Sequence, residues 1–115
     1  MGSIKLKSAI SVPSLKISPT SPVDANEVHH VILINASTGN KTVNLPDNTG
    51  GVIAGRTYTV KKIDLTGNLV RIRGVVGQRI DGSAGPVFLG TANMAVTFHA
   101  STDSHWYIVS SYLYP

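Results

Sequence analysis

The sequence contains no cysteine. Disulfide staples, thiolate metal sites and cysteine nucleophiles are thereby excluded. Charge is sparse: 14% of the residues are Asp, Glu, Lys or Arg, against about 25% in typical soluble domains. Aromatics make up only 6%. No window approaches the roughly 18 consecutive apolar residues that a helical membrane span requires, so no membrane partner is expected. No segment carries the periodicity of an amphipathic helix. Lys5 and Lys7 are not followed by the continuous apolar run of a signal peptide, so export by that route is not expected. With 42% hydrophobic residues and so little charge, the surface must be built largely from Ser, Thr, Asn and Gly. That composition suits an extracellular or particle-bound β protein better than a cytosolic enzyme.

Catalytic signatures are missing too. The six acidic residues are spread as Asp24, Glu27, Asp47, Asp64, Asp81 and Asp103. Asp47, Asp81 and Asp103 stand beside Gly, Asn or Ser in turn-like stretches, where Asp caps local backbone. No serine–histidine–acid spacing, phosphate loop or metalloprotease helix is present. Neither an enzymatic activity nor a cofactor is expected. Adjacent His29 and His30 on a strand point to opposite faces and do not chelate one ion together. His99, Asp103 and His105 flank one predicted turn, but zinc wants three or four convergent ligands with further support, and a surface role for these histidines is the simpler reading.

What is present reads as strands. At 115 residues the chain is the size of one domain. Gly55–Gly74 is the central stretch: Thr57 to Ile63 is rich in β-branched and aromatic residues, and Leu69 to Arg73 alternates strictly. Thr66-Gly67-Asn68 between them predicts a tight reversal, hence a β-hairpin. Tyr58 and Val60 face inward. The apolar Ile63 then falls out of phase with Lys62, and a bulge near Lys61-Lys62 would restore it. The run EVHHVILIN (27–35) is apolar on both faces, which predicts a strand covered on both sides. Further strands are expected at 41–45, 86–89, 94–100 and 105–113, separated by Gly, Asn and Asp turns. This spacing predicts an all-β fold, a small antiparallel β-sandwich or barrel of jelly-roll-like type, over residues 27–115.

Residues 1–26 differ. Pro13, Pro19 and Pro22 exclude a helix or central strand. Ile4, Leu6, Ile10, Val12, Leu15 and Ile17 recur mostly at spacing two, with Lys and Ser between them. The pattern predicts an extended N-terminal arm with one apolar edge, laid along its own domain or across a neighbouring subunit.

The ordered set of Asn44-Leu45-Pro46, then Gly55-Arg56-x-Tyr58-x-Val60-Lys61-Lys62-x-Asp64, Gly67-Asn68-x-Val70-x-Ile72, Ile80-Asp81-Gly82, Val96-x-Phe98 and Trp106-Tyr107-Ile108 resembles a small β domain of tailed-bacteriophage structural proteins. Tail fibres, tailspikes and head-decoration proteins carry it. The likeness covers about residues 31–112. It implies a virion component, commonly a homotrimer, without any ligand or catalytic residue. Fibre proteins usually hold such a domain within a long chain. Here it stands almost alone behind one arm, which resembles a capsid decoration (cement) protein on the capsid surface, with the major capsid protein as partner. A trimeric tail-fibre module recognising a host glycan is the alternative.

Three candidate surfaces follow. The arm residues are candidates for the subunit or shell interface. Arg71, Arg73 and Arg79, within a net charge of +4, are candidates for contacts to an acidic partner. Exposed aromatics for base stacking are not interleaved with them, which argues against nucleic acid. Tyr107, Tyr112 and Tyr114 are candidate interface aromatics, with a sugar platform as their role under the alternative.

Overall fold

The computed structural model describes residues 15–18, 21–26 and 30–112. Its strands are β1 (Leu15–Ser18), β2 (Val23–Asp24), β3 (Val31–Ile34), β4 (Lys41–Asn44), β5 (Thr57–Lys62), β6 (Val70–Arg73), β7 (Val87–Leu89), β8 (Ala95–Ala100) and β9 (Trp106–Tyr112). The only helical element among the described residues is a single 3-10 turn at Thr49–Gly51. Five strands form one sheet in the order β1-β3-β5-β8-β9, and four form the other in the order β2-β4-β6-β7. The inner faces enclose one core, so the fold is all-β and sandwich-like.

The sheets are mixed, which corrects the expectation of an antiparallel sandwich. β1, β3 and β5 run parallel to one another, and so do β2, β4 and β6. From β1 to β6 the chain winds as a coil, laying one strand in each sheet per turn. Only then does it reverse: β7 lies antiparallel to β6, β8 to β5, and β9 to β8.

The predicted hairpin is therefore not formed. β5 and β6 belong to different sheets, and the stretch 63–69 is a corner of the coil. The reason is local. Asn68 donates through Nδ2 to the Ala36 carbonyl at 2.8 Å, and the Ala36 amide donates to Asp64 at 2.7 Å. These bonds stack the corner on the preceding one, at residues 35–40, instead of closing it on its own strands.

The predicted bulge near Lys62 is also absent. β5 alternates without a break, and Lys62 takes the inward position with no exposure. Its ammonium group donates to Asp64 Oδ2 and to the Asp64 and Thr66 carbonyls. Three donors meet three acceptors, which is what lets a lysine be buried. A bulge does occur in β9. Phe98 pairs with Ile108 and Thr97 with Ser110, leaving Val109 as the extra residue.

The core follows the predicted alternation. Ile32, Ile34, Val60, Val96 and Phe98 line one sheet; Val43, Val70, Ile72 and Leu89 line the other. Tyr58 and Trp106 meet edge to face, ring centres 5.8 Å apart. The outer side of β3 is less covered than expected: Val31 and Leu33 are half-buried among the described residues.

Strands β1 and β2 come from the stretch read as an arm. β1 pairs with β3, and β2 places Val23 in the core beside Val43. Leu15 and Ile17 are described through their backbone alone. Ile4, Leu6, Ile10, Val12 and Tyr114 lie outside the described residues.

Candidate functional site

The outer face of the four-stranded sheet is a polar ladder. Thr42 lies opposite Arg71, and Asn44 opposite Arg73. The alternation of β6 sends Val70 and Ile72 into the core and both arginines outward. Arg71 donates through Nε and a terminal nitrogen to Thr42 Oγ1, at 3.3 and 3.1 Å. Arg73 Nε donates to Asn44 Oδ1 at 2.8 Å, while Asn44 Nδ2 donates to Asp24 Oδ1 at 2.9 Å. Both guanidinium groups are thus oriented by neutral acceptors. Neither has a carboxylate partner among the described residues.

The chain leaving β6 builds a lobe, residues 74–86, beside this face. Val75 to Gln78 is a tight turn closed by the Gln78 amide on the Val75 carbonyl at 2.8 Å. Gly77 supplies the positive φ, 91°, that its third position requires. This geometry pushes Val76 to the tip, where it is 100% exposed, with Val75 also exposed beside it.

The lobe is anchored from below. Gln78 donates to Asp47 and accepts from the amide of buried Asn48. The Asp47 carboxyl is held below the usual carboxylate range by the Thr49 hydroxyl and amide and by Gln78. The Arg79 amide donates to His105 Nδ1 at 3.0 Å, and the Arg79 carbonyl accepts from the Trp106 amide.

Arg71, Arg73 and Arg79 consequently line one groove of about 470 Å³, with Val75, Val76 and Pro86 as its apolar wall. Arg73, Val75 and Val76 also wall a neighbouring groove of about 520 Å³, which reaches Asp24 and Pro46. A third, of about 200 Å³, joins Arg71 to Leu69 and Phe88. The three arginines singled out from the sequence are brought together. The apolar members of the site were not singled out. Val75-Val76-Gly77 carried a signal, two valines set directly before a turn glycine.

The aromatic candidates divide. Trp106 is wholly buried, while Tyr107 and Tyr112 are 41% and 52% exposed at the end of the five-stranded sheet. The Tyr107 hydroxyl donates to Asp103 at 2.8 Å. That bond lowers the Asp103 carboxyl, together with the His105 amide, and raises the Tyr107 phenol. His99, Asp103 and His105 do not form a metal cluster; among the described residues no group of three or more such ligands gathers. No helix among them is long and apolar enough to cross a membrane.

No protein-family model and no curated protein matches this chain.

Proposed function

We propose that the chain is a virion structural protein, a non-enzymatic capsid decoration protein that sits between major capsid subunits and stabilises the shell. The observation that carries this reading is the arginine groove. Three guanidinium groups flank an exposed apolar turn without carboxylate partners among the described residues. An apolar centre with arginines beside it is the anatomy of a protein-docking surface, and the charge selects an acidic partner. The likeness to phage structural domains and the charge-poor composition point the same way. A protein that binds only the assembled shell stabilises it by mass action. The trimer belongs to the same proposal, with the uncharged Tyr107, Val109 and Tyr112 as the surface to be covered.

The test is co-sedimentation of purified protein with shells that lack it. Arg71→Gln with Arg73→Gln abolishes co-sedimentation under the proposal, and wild-type binding weakens as salt rises. Undiminished binding by the double variant overturns the docking surface.

A receptor-binding reading draws on the exposed Tyr107 and Tyr112 instead. Under it, Tyr112→Ala abolishes binding to a glycan array and leaves shell binding untouched.

A further inference from the structure

We propose that the groove face recognises an extended acidic peptide of the pattern apolar–x–acid–x–acid–x–apolar. This rests on the docking reading above and specifies its partner.

The pattern is set by β6. Arg71 and Arg73 project from alternate positions of one strand, so their backbone origins are roughly 7 Å apart. Carboxylates at alternate positions of an extended peptide have the same spacing and face one side. Adjacent carboxylates face opposite sides and present only one to the sheet. Thr42 holds Arg71 through Nε and one terminal nitrogen, and Asn44 holds Arg73 through Nε. Among the described residues no partner takes the remaining terminal N–H groups, which are left for the ligand in the fork geometry that suits a carboxylate. Asn44 is itself fixed, because its amide nitrogen is committed to Asp24.

The apolar ends of the pattern come from the grooves on either side. Arg71 shares one groove with Leu69 and Phe88, which are 36% and 49% exposed. Arg73 shares another with Val75 and Val76. Apolar surface, two cations and apolar surface therefore follow one another along the face. A seven-residue extended peptide, roughly 20 Å long, covers that sequence of contacts. A sulfated oligosaccharide would use the cations but has no counterpart for the valines.

The experiment is fluorescence anisotropy of the full chain with two labelled peptides of identical composition. One is Val-Ser-Asp-Ser-Asp-Ser-Val and the other Val-Ser-Asp-Asp-Ser-Ser-Val. The alternating peptide is expected to bind about tenfold more tightly, the discrimination of one charge-assisted contact. Arg71→Gln with Arg73→Gln removes the difference, and Asn44→Ala, which keeps both charges but releases one, narrows it. Equal affinity for the two peptides overturns the proposal. So does arginine-dependent binding of a sulfated oligosaccharide by a protein that ignores both peptides. Selective peptide binding without co-sedimentation leaves the recognition rule standing and removes the shell as its partner; co-sedimentation without peptide selectivity does the reverse.

Discussion

Lys62 and Asp64 form an ion pair of 2.8 Å with side chains 0% and 4% exposed. They stand two residues apart where the chain leaves the five-stranded sheet. Asp64 also accepts from the Ala36 amide and from the Thr66 amide and hydroxyl. One buried cation and one buried anion thus tie together the corner that turns β5 away from β6.

Removing the cation should loosen that corner. Lys62→Met keeps the volume but leaves Asp64 charged and without its main partner. Breaking a buried pair in this way costs about 3 kcal/mol or more. Urea denaturation reads the loss directly, with an unchanged slope showing that the fold is retained. A loss below about 1 kcal/mol would place the pair in a solvated setting.

Acid should have the same target. Burial alone would raise the Asp64 carboxyl, but the bonds from Lys62, Thr66 and Ala36 outweigh it and hold the group far below its ordinary value of 3.8. The unfolded chain then binds a proton that the folded chain does not, so stability falls as pH falls. The contribution is fully present above about pH 4 and is lost progressively below it. Asp47 and Asp103, also lowered, act in the same direction. Denaturation midpoints measured from neutral pH downward should drop through this window, and Asp64→Asn should flatten the drop.

Gly51→Ala should be costly in an otherwise open loop. Gly51 has a φ of 73°, and a Cβ there would lie 2.6 Å from the Thr102 carbonyl oxygen. Backbone meets backbone, so no side chain can move aside. Positive φ adds about 1 kcal/mol or more to that clash. Gly50, with φ 69° and open space around it, should tolerate alanine better. Thermal unfolding of the two variants gives the comparison.

Asp81→Ala should open a sheet edge. Among the described residues β9 is the outermost strand of its sheet, and it carries no charged residue. Its first half is covered by residues 79–81: the Asp81 amide donates to the Trp106 carbonyl, and Asp81 Oδ1 accepts from the Ile108 amide at 3.0 Å. The Val109 bulge interrupts the rest. Without the carboxylate the Ile108 amide is open to pairing with another chain. Light scattering on mild heating should rise sooner in the variant than in the wild type.

Strand positions were legible because the alternation of period two is written in the side chains: Val43 and Leu45, Tyr58 and Val60, Val96 and Phe98 all face the core as expected. Pairing was not. Thr66-Gly67-Asn68 has the composition of a hairpin turn, and only the long-range bonds of Asn68 and Asp64 to Ala36 make it a corner between sheets. Lys62 misled for a related reason. A lysine in an inward phase looks like an error until its acceptors, Asp64 and Thr66, are folded around it. At the candidate site, Arg71 and Arg73 share a face by their spacing alone. Arg79 reaches the same groove only through the fold, because Gln78 and His105 hold the lobe against distant loops.

Quantitative mass spectrometry of virus particles purified from a culture in which this protein is made, referenced to their major capsid protein, bears most directly on the proposed role. A decoration protein is present in a fixed stoichiometric ratio to the shell. Absence from the particle would contradict a virion role altogether, and a handful of copies would contradict shell decoration and assign the protein to the tail.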